Sequence, residues 1–299
     1  MTVGAGKIEL VKRPDMVVNR DYIALLEACN LLDFDSLYHF RNGKTVKQIR
    51  DRSIIRMDVH TGAENRIFYL KRHTAARPGI WDMIASFSAN KSFSPGMFEF
   101  ENICDFRNSG IPTVTPVAAG ERKTGLCRYE SFLITESFEP YVSLEHLIYN
   151  LPERLKEPAG QIRKERLIRA VAHLARQMHD RGFNHRDFNA THVLVGPENE
   201  TGECALALFD LQRMDRKKWL KTKWFIKIMA ELSYTMPEPL FSDQDRLLLF
   251  QCYKGFSNQR LLDRLQLKWI RMKVKRIGKH TDHIKKRRQQ TSRIGQKRA

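Results

Sequence analysis

The sequence predicts an α+β fold in two lobes, an antiparallel sheet with one packed helix followed by a mainly helical second lobe. Strand-like runs recur through the first half of the chain, helical periodicity dominates after it, and 299 residues with 42% hydrophobic content are enough for a sizeable core. We place the first lobe at residues 37–138 and the second at 139–265. An N-terminal extension, 1–36, and a basic tail, 266–299, flank them.

The first lobe reads as a strand meander that is interrupted by one helix. Alternating or continuous apolar runs bounded by polar turns predict its strands, and apolar residues at helical spacing predict its helices. The predicted elements are strands at 45–49, 53–59 and 66–71, a helix at 97–107, and strands at 111–120 and 130–136. The extension before them carries a further predicted helix at 22–32.

The second lobe is mainly helical. Ser143 is expected to cap its first helix, because a serine side chain can accept a hydrogen bond from a free amide of the first turn. Apolar residues at helical intervals then predict a long helix over 165–181 that stops at Gly182. Short strands are expected at 193–195 and 205–209, and the chain returns to helical character up to about residue 265.

Residues 182–195 carry the most informative motif. His185, Arg186 and Asp187 lie between the long helix and a short apolar strand, and His192 follows Asp187 by five positions. This is the layout of a kinase catalytic loop, in which the Asp accepts the proton of the acceptor hydroxyl and the residue at plus five faces the nucleotide metal. We expect His185 to pack and bond the backbone, and Arg186 to brace the loop.

Two charged residues elsewhere complete a phosphoryl-transfer site. Lys71 ends an apolar strand, where an amine can hold the phosphates of ATP, and Asp210 ends a strand 23 residues after Asp187, where a kinase carries its Mg²⁺-binding carboxylate. Either Glu99 or Glu101 is expected to pair with Lys71. We favour Glu99 because it lies nearer the expected pairing position.

Two further segments bear on the nucleotide. Glu136 ends the strand before residues 137–140, a predicted hinge whose backbone groups would bond adenine, and we assign Glu136 to the nucleotide site. Residues 50–53, Arg-Asp-Arg-Ser, occupy the turn where a protein kinase carries a glycine-rich loop. Either their basic side chains replace backbone amides at the phosphates, or this turn is a solvated hairpin tip.

Residues 69–73, 182–187, 192–194 and 209–213 together resemble the lipopolysaccharide core kinase family (WaaP/RfaP, InaA-like), whose fold is similar to that of protein kinases. The most specific features are a His at plus five of the loop and Asp-Leu-x-Arg in place of Asp-Phe-Gly. The resemblance implies ATP-dependent, Mg²⁺-dependent phosphorylation of a sugar hydroxyl, typically a heptose of the lipopolysaccharide inner core. It also implies a cytoplasmic enzyme, peripheral to the inner membrane.

The resemblance assigns a role to each matched residue. Asp187 is the catalytic base, Asp210 and His192 are the metal positions, Lys71 binds phosphate with Glu99 orienting it, and Arg213 either binds an acceptor phosphate or holds the Asp210 turn. Three departures concern the acceptor more than the reaction: residues 188–191 lack a Cys before His192, Lys227-Ile228 stands where the family has Lys-Asp, and the basic tail is longer than in family members.

The net charge of +18 is concentrated at the C-terminus, where residues 266–299 carry thirteen Lys or Arg and a single acidic residue, Asp282. This pattern favours an anionic membrane surface as partner, and nucleic acid is not expected. Apolar residues on one face predict a basic amphipathic helix that runs into a disordered end, and they are Leu267, Ile270, Val274 and Ile277. The alternative is a helix packed on the second lobe with a solvated end.

Cysteine usage and hydropathy indicate the cellular compartment of the protein and whether the chain crosses a membrane. The five cysteines form no CxxC pair, which favours a reduced compartment without zinc or disulfides. No apolar run reaches about 20 residues, and no signal-like start is present.

Two other functions stay open: a kinase acting on protein or small-molecule hydroxyls, and a non-catalytic pseudokinase that binds membrane or nucleic acid. The retained Lys71, Asp187 and Asp210 argue against the second.

Overall fold

The computed structural model describes residues 3–49, 51–62, 64–76, 92, 94–125, 128–156, 159–216, 221–255 and 261–296, and of residues 64, 75, 76 and 283–296 the backbone alone. The chain divides into two compact units. The first contains Met1–Val142, Leu194–Pro197 and Ala205–Arg216. The second contains Ser143–Val193, Glu198–Cys204 and Lys217–Ala299.

A seven-stranded antiparallel sheet forms the body of the first unit, in the order β2-β3-β8-β9-β6-β5-β4. Its strands are β2 (Leu10–Arg13), β3 (Met16–Asn19), β4 (Lys44–Ile49), β5 (Arg52–Thr61), β6 (Glu64–Ala76), β8 (Pro116–Gly125) and β9 (Arg128–Glu136). A smaller sheet holds β1 (Val3–Gly4), β7 (Thr113–Val114), β13 (Cys204–Leu208), β12 (Val193–Glu198) and β10 (Val142–Ser143). Two short strands, β11 (Asn184–His185) and β14 (Met214–Asp215), complete the set among the described residues.

The N-terminal residues are part of the first unit, because they cover one face of its large sheet. Side chains alternate between the faces of a strand, so Ile55, Met57, Phe68 and Leu70 all point to the same side. They form a buried core with α1 (Ile23–Ala28) and α2 (Phe34–Tyr38). The segment predicted as an extension therefore contributes three strands, the helix α1 and the start of α2 to this unit.

The opposite face of the large sheet receives α3 (Pro95–Asn108). Ser94 caps this helix by accepting a hydrogen bond from the amide of Met97 at 3.4 Å. A Cβ on Gly96 would lie 2.8 Å from the carbonyl oxygen of Phe132, so only glycine lets the helix approach β9 this closely. Most of the polar connection before α3 lies outside the described residues.

The second unit is built from helices α4 (Leu144–Asn150), α5 (Ala159–Asp180), α6 (Lys221–Tyr234), α7 (Asp243–Lys254) and α8 (Leu261–Gln296). The predicted cap is confirmed, since the Ser143 hydroxyl accepts a hydrogen bond from the amide of His146 at 3.1 Å. The predicted stop of the long helix is confirmed as well, because Gly182 adopts a φ of 80°, which favours glycine. No helix within the described residues is both long and apolar enough to cross a bilayer.

The basic tail is helical as far as Gln296, so the predicted change to a disordered end is not found over that range. Its predicted apolar stripe faces the protein. Ile270 is buried, Leu267, Val274 and Ile277 are half-buried, and a Cβ on Gly278 would lie 3.7 Å from the ring of Tyr234 on α6. These side chains pack against the second unit and are not presented to a lipid surface. For this stripe, the structure therefore agrees with the alternative of a helix packed on the second lobe.

A buried hydrogen-bond network ties the N-terminal segment to the end of β9. The hydroxyl of Tyr22 donates to Glu136 Oε2 at 2.9 Å, and Arg66 Nη1 donates to Glu136 Oε1 at 2.7 Å. Burial, and after it the Glu136 carboxylate, raises the pKa of Tyr22 above its ordinary value, so the phenol keeps its proton.

Tyr22→Phe should destabilise the first unit by about 1 to 3 kcal/mol, because it leaves one oxygen of a buried carboxylate without its donor. Urea unfolding followed by tryptophan fluorescence and far-UV circular dichroism measures the change. Tyr149→Phe is the matched control, since Tyr149 is exposed. Equal midpoints for both variants would contradict a stabilising role of this network.

Candidate active site

A buried ion cluster lies on the α3 side of the large sheet. Lys71 Nζ, from β6, donates to both carboxylate oxygens of Glu99 at 2.8 Å and to Asp210 Oδ1 at 3.2 Å. Glu99, from α3, is only 2% exposed. Burial raises the pKa of Glu99 and the ammonium of Lys71 opposes that rise. Glu99, and not Glu101, is therefore the partner of Lys71.

The turn after β13 presents Asp210 to this cluster. Asp210 has φ 56° and ψ 58°, a left-handed conformation that few residues other than Gly, Asn and Asp adopt. The following 3₁₀ turn, Leu211–Arg213, is anchored to α3, because Asn102 Nδ2 donates to the carbonyl of Leu211 at 2.8 Å. Arg213 ends this turn with an exposed side chain. No glycine is needed here, because Asp210 itself supplies the positive φ.

Arg52 brings a second cation to Asp210. Its Nη2 lies 4.0 Å from Asp210 Oδ2, and its Nη1 donates to Gln212 Oε1 at 3.4 Å. Its Nε is buried and has no hydrogen-bond partner within the part of the chain that the structure describes. Arg52 starts β5 at the hairpin that stands in place of a glycine-rich loop. This hairpin thus places a guanidinium beside Asp210.

His73 shares the sheet face of Lys71 and lies opposite Arg52 in the ladder. The ring is buried, and burial, followed by the positive charges of Arg52 and Lys71, lowers its pKa to about 3. His73 is therefore neutral at physiological pH. Its Nε2 has no hydrogen-bond partner among the described residues.

The hinge region lines the same unit with aromatic rings. Phe138 stacks on Tyr69 at 5.9 Å between centroids and lies 5.5 Å from the ring of Phe209. The side chain of Glu136 bonds Tyr22 and Arg66, and its assignment to the nucleotide site stays a prediction.

In the second unit, two imidazoles hold the backbone of Asp187. The amide of Asp187 donates to His185 Nδ1 at 3.1 Å, so the neutral His185 ring carries its proton on Nε2. His192 Nδ1 bonds the carbonyl oxygen of Asp187 at 2.7 Å and must donate, which leaves the lone pair of a neutral ring on Nε2. The rings are stacked at 5.6 Å. His185 is fully buried, whereas Arg186, Asp187 and His192 are partly exposed.

One acidic residue near the catalytic loop is missed by the sequence motifs. Glu231 lies one turn after Lys227 on α6. Burial raises the pKa of Glu231, the charge of Lys227 opposes this rise, and the charge of Asp187 adds to it. Asp187, Lys227 and Glu231 therefore share one electrostatic environment. The available signal was the i, i+4 spacing of Lys227 and Glu231, which is common on exposed helix faces.

Comparison with known proteins identifies the family. A sequence profile described as the lipopolysaccharide kinase (Kdo/WaaP) family matches residues 81–253, more than half of the chain. The chain belongs to this family. Membership confirms the predicted resemblance and the predicted enzyme class, a phosphotransferase with an alcohol group as acceptor.

Relatives of this chain are named as kinases of a lipopolysaccharide core heptose or of 3-deoxy-D-manno-octulosonic acid. The chain is 28% identical over 216 residues to lipopolysaccharide core heptose(I) kinase WaaP of Pseudomonas aeruginosa, covering 71% of this chain and 76% of that protein. It is 24% identical over 249 residues to the enzyme of the same name from Escherichia coli K12, covering 80% and 89%. A 3-deoxy-D-manno-octulosonic acid kinase of Actinobacillus succinogenes is 28% identical over 141 residues, covering 45% and 53%.

Among solved structures, WaaP in complex with acyl carrier protein matches with a TM-score of 0.65 at 23% identity. The match covers 87% of this chain and 98% of that one. A likeness at this identity establishes the fold. It confirms the predicted α+β, protein-kinase-like class.

The low pKa of His73 predicts an acid-sensitive fold. An unfolded His73 binds a proton near pH 6.5, whereas the folded residue stays neutral to about pH 3. Acidification from pH 6.5 therefore favours the unfolded state and lowers stability by up to about 1.4 kcal/mol per pH unit through this residue. His73→Gln should flatten the dependence of the unfolding free energy on pH between 6.5 and 4. Exposed His146, changed to Gln, serves as control, and identical slopes in wild type and His73→Gln would contradict the prediction.

Proposed function

We propose that this chain is an ATP-dependent kinase that phosphorylates a sugar hydroxyl of the lipopolysaccharide inner core, with a heptose as the favoured acceptor. The observation that carries the proposal is the Lys71 ammonium held between Glu99 and Asp210 in a member of a lipopolysaccharide kinase family. An amine fixed in this way can bind the phosphates of ATP without losing side-chain entropy at the moment of binding.

Phosphoryl transfer depends mainly on positioning and charge neutralisation. Asp187 orients the sugar hydroxyl and takes its proton as the oxygen–phosphorus bond forms and the bond to the ADP leaving group breaks. The bonds from His185 and His192 to its backbone support this role, because they fix the peptide from which the carboxylate projects. Lys71 offsets the negative charge on the transferred group. Lys227 is a further candidate for a cation that offsets this charge. The charges of Lys227 and Asp187 both act on the pKa of Glu231, so the two residues lie in the same region.

Asp210 suits Mg²⁺, a hard cation that prefers oxygen ligands, whereas the imidazole of His192 is a poorer donor to it. Within the described ranges no three His, Cys, Asp or Glu side chains form a metal cluster. This fits an ion that takes most of its ligands from nucleotide phosphates and water. When bound, Mg²⁺ would neutralise phosphate charge beside Asp210. With Nδ1 donating to the backbone, Nε2 of the neutral His192 ring is then better suited to accept a hydrogen bond from a metal-bound water than to bind the ion directly, and only the protonated ring could bond a phosphate oxygen.

We further propose that Arg52 takes the place of the glycine-rich loop amides. Its guanidinium already lies beside Asp210, its side chain is 27% exposed, and the fork geometry of a guanidinium matches phosphate oxygens. Of the two alternatives for this hairpin, these contacts favour a basic side chain at the phosphates over a solvated tip.

The acceptor determines where the enzyme works. Lipopolysaccharide is anchored in the membrane, so we place the enzyme in the cytoplasm at the inner-membrane surface, with Arg213 as a candidate contact to a phosphate on the acceptor. The relatives include kinases of two different core sugars, and the heptose kinases match over the larger share of the chain. This difference in coverage favours a heptose.

Asp187→Ala should reduce kcat/KM for phosphate transfer to dephosphorylated lipopolysaccharide core by about 10³-fold, because it removes both hydroxyl positioning and proton transfer. Transfer of labelled phosphate from ATP in the presence of Mg²⁺ measures this. Asp180→Ala, at the exposed end of α5, removes an equal charge from the same unit and should leave turnover unchanged. If the two variants retain equal activity, Asp187 is not the base.

Arg52→Ala should raise the KM for ATP about 10-fold to 100-fold, the loss expected when a charge-assisted hydrogen bond to phosphate is removed. Arg52→Lys should recover part of it, since the charge returns without the fork. Lys47→Ala removes a charge from exposed strand β4 as a control. An unchanged KM in Arg52→Ala would leave the hairpin as a solvated tip.

A further inference from the structure

The terminal helix α8 has a second apolar stripe, which faces away from the protein. Its members are Leu261, Leu262, Leu265, Trp269 and Met272, each between 45% and 75% exposed. At 3.6 residues per turn these five positions fall within an arc of about 100°, so they form one continuous stripe along the first turns of the helix. We call it the outer stripe. Large apolar side chains gathered in this way mark an interaction surface.

The orientation of the outer stripe is fixed by the opposite side of the helix. Asp263, Gln266 and Ile270 are buried, and Lys254 Nζ on α7 lies 3.4 Å from Asp263 Oδ1. Because this inner side packs within the second unit, α8 cannot rotate to hide the outer stripe. The exposure is therefore a property of the folded chain.

Cations border the outer stripe. Arg264, Lys268, Arg271 and Lys275 are all exposed and follow its one edge, and half-buried Lys273 lies near the other. Beyond Met272 the same arc continues with exposed Arg276 and Lys279. An apolar strip rimmed by Lys and Arg is the pattern of a helix that lies in the plane of a lipid interface.

We propose that the outer stripe docks this protein on an anionic lipid surface, with α8 lying in the headgroup region. The inference rests on the proposed function in that it supplies the surface by which the kinase reaches a membrane-anchored sugar. Trp269 belongs to a residue type enriched at membrane interfaces, and basic residues near such a surface are attracted by anionic headgroups. An acidic protein would match the charge alone. The straight, single-helix stripe with its continuing basic run fits a lipid plane better.

The position of α8 connects docking with catalysis. Its residue Lys273 is among the charges that act on Glu231, as is Asp187 of the catalytic loop. The helix that carries the outer stripe therefore packs on the same stretch of α6 that borders the proposed base. Docking would hold this part of the second unit close to the lipid plane from which the sugar projects.

The test uses full-length protein and flotation with phosphatidylcholine vesicles, with and without phosphatidylglycerol. Trp269→Glu combined with Met272→Glu should lower the partition coefficient on anionic vesicles at least about tenfold, equivalent to about 1.4 kcal/mol. The matched control is Tyr149→Glu with Ile162→Glu, which adds the same two charges at exposed positions of the same unit. It should keep most of the wild-type binding. Circular dichroism checks that both variants fold.

Four outcomes would overturn the proposal. The stripe variant could bind vesicles as the wild type does, or both double variants could lose the same share of binding. The stripe variant could instead lose self-association in sedimentation velocity, or lose binding to an acidic carrier protein, while its vesicle binding stays intact. Turnover on delipidated, water-soluble core oligosaccharide separates this inference from the proposed function. Both double variants should retain it, and a wild type that docks on vesicles without turnover would refute the kinase assignment alone.

Discussion

The buried ion pair between Lys71 and Glu99, extended to Asp210, is the interaction on which the rest of the candidate site depends. A carboxylate that is 2% exposed is tolerated only when a cation and good hydrogen-bond geometry compensate for lost hydration. The compensation requires three separate segments to meet, since β6 supplies Lys71, α3 supplies Glu99 and the turn after β13 supplies Asp210. The cluster therefore couples the position of α3 to the geometry offered to phosphate.

The surroundings of this cluster explain two departures from ordinary kinase sequences. Asp210 adopts a left-handed backbone by itself, so the turn holds its shape without a following glycine. Arg52 places a guanidinium beside it, so a hairpin without glycines can still offer donors to an anion. In both places this chain has a residue other than glycine where protein kinases have glycine. The N-terminal segment stabilises the sheet that carries Lys71 and Arg52, because α1 and α2 bury its opposite face.

The sequence predicted what depends on local pattern. The long helix with its glycine stop and the cap at Ser143 follow from spacing and capping chemistry, and the motif around Asp187 indicated the family. Contacts between segments that are far apart in the chain could not be predicted from the sequence. Glu136 pairs with Tyr22 across 114 residues, and nothing local distinguishes that carboxylate from a nucleotide contact. Helix α8 carries two apolar stripes, and only packing against α6 decides which one is buried.

Identification of the phosphorylated atom distinguishes a kinase of a core sugar from a kinase with any other acceptor. Wild-type protein, ATP and Mg²⁺ would be incubated with dephosphorylated core oligosaccharide, and the product examined by phosphorus–proton correlation NMR. We expect a phosphomonoester whose phosphorus is coupled to a ring proton of a core sugar, in a product absent when Asp187 is replaced by Ala. Phosphate found on protein side chains, or released only as inorganic phosphate, would contradict it.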